Sequence, residues 1–133
     1  MKIQLKFIFT TIISAIVMLL LSTVWHSVIL HDFQGLLLTF KQLVIALAIF
    51  YTGMGVVLIS CINKFWDYFS PLKAILFSAS IGLLFYILAT LLGHTFNDSH
   101  TKTQLIIDTL WQMLEQGIGG FIIYSLLNIG YKQ

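Results

Sequence analysis

Four long apolar stretches, at 7–30, 40–62, 72–93 and 104–128, limit the chain to a narrow set of folds. A bilayer core of ~30 Å is crossed by about 20 helical residues rising 1.5 Å each, and every stretch meets that length. In hydrocarbon the backbone must satisfy its own hydrogen bonds, so stretches of this kind become helices. The linkers between them are short. Residues 31–34 join the first and second stretches, with the apolar 35–38 at the interface or extending the helix. Residues 63–70 join the second and third, and 94–103 the third and fourth. Short linkers force sequential helices to lie antiparallel. The expected fold is all-α: an integral membrane up-down four-helix bundle forming a single domain over 1–133.

Composition agrees. Of 133 residues, 59% are hydrophobic and 9% charged, against about 25% charged in a typical soluble domain. Seven basic and five acidic side chains are too few to coat a water-facing surface. The expected partner is therefore the lipid bilayer, with a second copy or a larger membrane complex as further candidates. A net charge of +2, without a basic run or an aromatic-studded strand, argues against nucleic acid. All seven basic residues are lysines, so no arginine fork is present for phosphate or carboxylate. The single cysteine, Cys61, sits in an apolar run and reads as a small buried hydrophobe. Lys2 and Lys6 ahead of Phe7 imitate a secretory signal. The run continues far beyond a signal core of about 7–15 residues and no A-x-A site follows, so it reads as the first span.

Lysine placement orients the bundle. Lys2, Lys6, Lys64, Lys73 and Lys132 fall on one side, and Lys41 and Lys102 on the other. The positive-inside rule then puts both termini in the cytoplasm (N-in/C-in), with a bacterial inner membrane as the expected location. Trp66, Tyr68 and Phe69 in the middle linker read as an interfacial aromatic belt. Pro71 opens the third span, where its missing N–H costs little. Gly53, Gly55, Ser78, Gly82, Gly117, Gly119 and Gly120 mark sites where helices can approach closely. The halves also echo each other. Lys6 and His26 match Lys73 and His94, and Gln42-Leu43-Val44-Ile45 matches Gln104-Leu105-Ile106-Ile107. Each of the latter is followed by glycine, Gly55 or Gly117. A duplicated hairpin or plain apolar low complexity would both produce this.

In this orientation the polar chemistry gathers in the outer half. His26 lies about a turn inside the end of the first span, and Lys41 near the start of the second. Asp108, Gln112, Glu115 and Gly119 recur at helical spacing along one face of the fourth. An ionisable group as deep as Glu115 costs about 2.5–3.5 kcal/mol on insertion scales. It should therefore face the bundle interior, either as a proton, cation or polar-ligand site or as a protonated carboxyl fixing helix register. Lys41 and His26 are its candidate partners. His31, Asp32, His94, Asp98 and His100 form a candidate metal set for zinc or copper, without the spacing of a recognised metal motif. A haem between His26 and His94 is conceivable stereochemically, and no cofactor follows from the sequence. Serines and threonines inside the spans are expected to bond their own helix backbone.

Trp25-His26 followed by Leu30, Asp32 and Phe33, with Glu115, Gly119, Tyr124 and the terminal Tyr131-Lys132, resembles a group of small, uncharacterised bacterial four-span membrane proteins. The resemblance covers about a third of the chain. It implies the fold and a membrane location and brings no activity. Small multidrug exporters and fluoride channels fit poorly: the first need a glutamate in span one and the second an arginine, and this chain has neither. The leading expectation is a non-enzymatic bundle with an outward-facing polar cavity that binds or moves a proton, cation or small polar ligand. The alternatives are a structural or accessory subunit of a larger membrane complex and a metal-dependent membrane enzyme.

Overall fold

A computed structural model describes residues 2–29, 39–94 and 102–131, with the backbone alone for 2, 3, 92–94, 130 and 131. Helix α1 covers Lys2–Thr23 and runs into a six-residue π-helical stretch, Val24–Ile29. Helices α2 (Phe40–Lys64), α3 (Pro71–His94) and α4 (Lys102–Tyr131) follow, with a short 3-10 turn at Trp66–Tyr68 between α2 and α3. No strand occurs among the described residues. The helices start where local chemistry allows. Thr39 caps α2 through its hydroxyl to the Gln42 N–H, while the Gln42 side chain returns to the Thr39 N–H, a reciprocal capping box. Pro71 is the first residue of α3.

Interhelical contacts fix the topology. Gly55 of α2 lies against Thr11 and Ser14 of α1, while Tyr51, one turn earlier, packs with Ala15 and Met18. Along α1 and α4, Lys6 meets Leu127, Met18 meets Gly119, and Trp25 meets Trp111. Ala74, Ser78 and Gly82 of α3 face Gly120, Gln116 and Gln112 of α4 in the reverse order. Each of these pairs is antiparallel, giving an up-down bundle in which α4 touches all three other helices.

Close approach depends on particular glycines. A Cβ on Gly120 would collide with Ser78 and lie 2.7 Å from the Ala74 carbonyl; one on Gly82 would lie 2.5 Å from Gln116 Cγ. Gly117 and Gly55 each lie against the preceding helix at 3.3 Å. Gly53 is different. Nothing among the described residues comes within 4 Å of a Cβ placed there, so it is not a contact point between the described helices.

The apolar core has two parts. Leu58, Ile59, Ile62, Ala74, Ile123 and Leu127 fill one end, where Trp66 and Phe69 pack against them. Trp66 stacks on Tyr124 at 4.8 Å and Phe69 meets Phe77 edge-on, leaving Tyr68 as the outward ring of the trio expected at the interface. Ala15, Met18 and Tyr51 form the second part.

The distribution of polarity is the reverse of a water-soluble protein. Thr10, Ser14, Ser22, Ser78, Glu115 and Gln116 are all at most 1% exposed, whereas Leu5, Ile49, Leu72 and Leu110 are more than 60% exposed. Three helical segments, Gln4–Ile29, Phe40–Lys64 and Pro71–Leu91, are long and apolar enough to cross a membrane. The 30-residue α4 is also long, but it carries Asp108, Gln112, Glu115 and Gln116.

Candidate functional site

Hydroxyls inside the helices divide into two groups. Thr11, Thr23, Ser27, Thr52, Ser60, Ser80, Thr109 and Ser125 each donate to the carbonyl four residues earlier, the ordinary way to satisfy a hydroxyl in a helix. Ser14 reaches the Thr11 carbonyl. The buried hydroxyls of Thr10 and Ser78 have no hydrogen-bond partner among the described residues, and the same holds for polar atoms of Trp111, Glu115 and Gln116 on α4.

Glu115 is the deepest ionisable group of α4. It is fully buried, and among the described residues neither carboxyl oxygen makes a hydrogen bond of good geometry, although two donors lie close by. It lies fourteenth in the 30-residue α4, about 20 Å from the helix start at 1.5 Å per residue. The polar groups acting on it are the Tyr51 hydroxyl from α2 and the Trp111 indole one turn back on α4. The Trp111 N–H is itself buried and unpartnered. Ser22 of α1 and Gln112 of α4 lie against the Tyr51 hydroxyl, so three helices converge here. Gln116 is also fully buried with both amide atoms unpaired, on the α3 side, where the missing Cβ of Gly82 makes room for it.

Two turns towards the start of α4, Asp108 is 9% exposed and accepts a hydrogen bond of 3.2 Å from Trp25 Nε1. The Trp25 and Trp111 rings stack at 4.3 Å with planes 8° apart. Trp25 belongs to the π-helical stretch, a conformation found mostly as short insertions at functional sites. Tyr86 of α3 lies within electrostatic range of Asp108.

The structure thus brings Asp108, Gln112, Glu115 and Gly119 to the interior face of α4, with Gln112 only half-buried. His26 is half-buried in the π-helical stretch. Of the expected partners of Glu115, Lys41 is exposed at the start of α2, and the side chains that act on the carboxyl are Tyr51 and Trp111. Of the candidate metal set, His31, Asp32, Asp98 and His100 lie outside the described residues, as does the side chain of His94. Among the described residues no group of three or more His, Cys, Asp or Glu side chains is placed to hold a metal.

Sequence reasoning missed Tyr51, Ser22, Trp111 and Gln116. Spacing alone sets Trp111 apart from the Asp108–Glu115 face, but its large ring reaches back across that face to Trp25. Tyr51, the polar-tipped ring in the middle of α2, was the one available signal, because a buried tyrosine hydroxyl usually seeks a partner.

No family model, curated protein or solved structure matches the chain.

Proposed function

We propose that the chain is a four-span membrane bundle that binds a proton or a small cation at Glu115 and exchanges it with one face of the membrane. The observation that carries this reading is the Glu115 carboxyl, fully buried at mid-helix with only the uncharged Tyr51 and Trp111 beside it and no hydrogen bond of good geometry. A carboxylate charge at that depth must be neutralised, and the side chains acting on it, Tyr51 and Trp111, are uncharged. A proton or a bound cation is what remains. Buried polar groups with no partner are costly, and they persist mostly where a ligand, ion or water completes them.

Membership of α4 in the membrane is supported by its two faces. Its polar residues Asp108, Glu115 and Gln116 point inward, while Ile106, Leu110, Leu114, Phe121 and Ile129 are exposed. Interior polarity contributes to its lower mean hydropathy, and beyond residue 104 its exposed side chains include these large apolar ones. Lysine distribution supports cytoplasmic termini.

The test is reconstitution into liposomes with a pH-sensitive dye inside and sodium or potassium gradients across the membrane. Glu115→Gln should abolish the proton or cation movement seen with the unaltered chain. Equal flux from both proteins would overturn the reading.

A further inference from the structure

The face with which Glu115 exchanges can be narrowed, and the narrowing rests on the reading just given. The two directions away from Glu115 along the inward face of α4 differ. Towards the start of the helix come Gln112, half-buried, and Asp108, 9% exposed. Towards the other end come Gly119, with Met18 against it, then Ile123 and Leu127. There Leu58, Ile59, Ile62 and Ala74 join Ile123 and Leu127 in a core that is at most 4% exposed. A charged ligand crosses polar surroundings far more cheaply than such a core, so the route to Glu115 leads from the Asp108 end.

Two indoles lie across that route. Trp111 comes three residues after Asp108 and four before Glu115, so it occupies the turn between them. Its ring lies flat on that of Trp25, with centroids 4.3 Å apart and planes 8° apart. Trp25 Nε1 donates in turn to Asp108 Oδ1 at 3.2 Å. A double aromatic layer thus separates an acid at the edge of the bundle from one that is wholly buried. The two rings are mounted differently. Trp111 belongs to the continuous helix α4, whereas Trp25 belongs to the π-helical stretch Val24–Ile29. Backbone pairing spans five residues in a π-helix and four in an α-helix. A change between them rotates the side chains of the stretch, while α1 below it stays fixed by Met18 against Gly119 and Ser14 against Gly55.

We infer that the Trp25–Trp111 pair, latched by Asp108, is the gate of the Glu115 site. The proton or cation enters and leaves at the Asp108 end when the π-helical stretch carries Trp25 off Trp111, and the apolar core keeps the opposite end closed. The stacked, hydrogen-bonded arrangement is the shut state.

Thiol labelling of the full chain in lipid nanodiscs, open to reagent from both sides, tests this. In a Cys61→Ser background, Glu115→Cys supplies a reporter behind the pair, read with a small water-soluble methanethiosulfonate. Adding Trp25→Ala should speed labelling about tenfold, equivalent to ~1.4 kcal/mol in the barrier to opening. Asp108→Leu, which removes the acceptor and leaves both rings, should speed it by a smaller factor, and it carries the test if Trp25→Ala does not fold. Trp66→Ala, which removes the comparable stack on Tyr124 (4.8 Å) at the other end, should leave the rate unchanged. Labelling no faster in a folded Trp25→Ala or Asp108→Leu would overturn the gate. So would equal acceleration by Trp66→Ala, which would mean that any loosened end admits the reagent. The reporter works without the carboxyl, so the two readings fail separately. Labelling that responds to Trp25→Ala, beside liposome flux indifferent to Glu115→Gln, would keep the closure and remove Glu115 as the binding group.

Discussion

At the scale of single residues, the glycines make opposite predictions from the same chemistry. Alanine is favoured over glycine inside a helix by about 1 kcal/mol. At Gly53, where nothing lies within 4 Å, Gly53→Ala should stabilise the protein by up to that amount. At Gly120 the new methyl meets Ser78 and the Ala74 carbonyl, so Gly120→Ala should destabilise by about 1–3 kcal/mol. Unfolding of both variants in mixed detergent micelles checks the pair, and equal effects would contradict the close α3–α4 seam. Glu115 gives a third case. Its burial without a hydrogen bond of good geometry costs stability, so Glu115→Leu should raise unfolding resistance, by no more than about 1–3 kcal/mol because Tyr51 and Trp111 lose an acceptor, while abolishing exchange. A loss of stability would mean that the carboxyl has a structural partner.

Legibility at this scale was uneven. The inward face of α4 could be read because Asp108, Gln112 and Glu115 stand out against apolar neighbours at helical spacing. The groups around Glu115 could not. Tyr51 and Ser22 arrive from other helices, and their placement depends on how α1 and α2 rotate against α4. Nearly uniform apolar sequence leaves that rotation unmarked.

At the scale of elements, the four helices were readable from length and hydropathy, and Pro71 marked the start of α3. The π-helical stretch at Val24–Ile29 was not, since its sequence continues the apolar pattern of α1 without a break. It turns Trp25 onto Trp111 and Asp108, tying the end of α1 to the start of α4. Trp25→Phe keeps an aromatic ring for the stack but loses the N–H donor. Trp25→Ala loses both. The alanine variant should therefore be the less stable by more than about 0.5–1.5 kcal/mol, the worth of an aromatic pair beyond the area it buries. Thermal unfolding followed by tryptophan fluorescence measures the difference, and identical midpoints would mean that the stack contributes nothing.

At the scale of the whole molecule, polarity turned inward and apolar side chains turned outward describe a protein whose solvent is lipid. In the proposed orientation, drawn from the lysine count, the 64–70 turn lies in the cytoplasm. With Cys61 replaced by serine, a cysteine at Lys64 should resist a membrane-impermeant maleimide added to intact cells, and one at Lys102 should react. The reverse pattern would invert the bundle.

Everything proposed for Glu115 requires α4 to lie within the bilayer beside the three helices whose composition already qualifies them. Spin labels at Leu114 on α4 and Leu76 on α3, both on exposed faces, measure this directly in reconstituted membranes. The account predicts that both labels are accessible to oxygen and shielded from a water-soluble nickel complex, as hydrocarbon-facing sites are. A Leu114 label open to nickel would place α4 in water and contradict it.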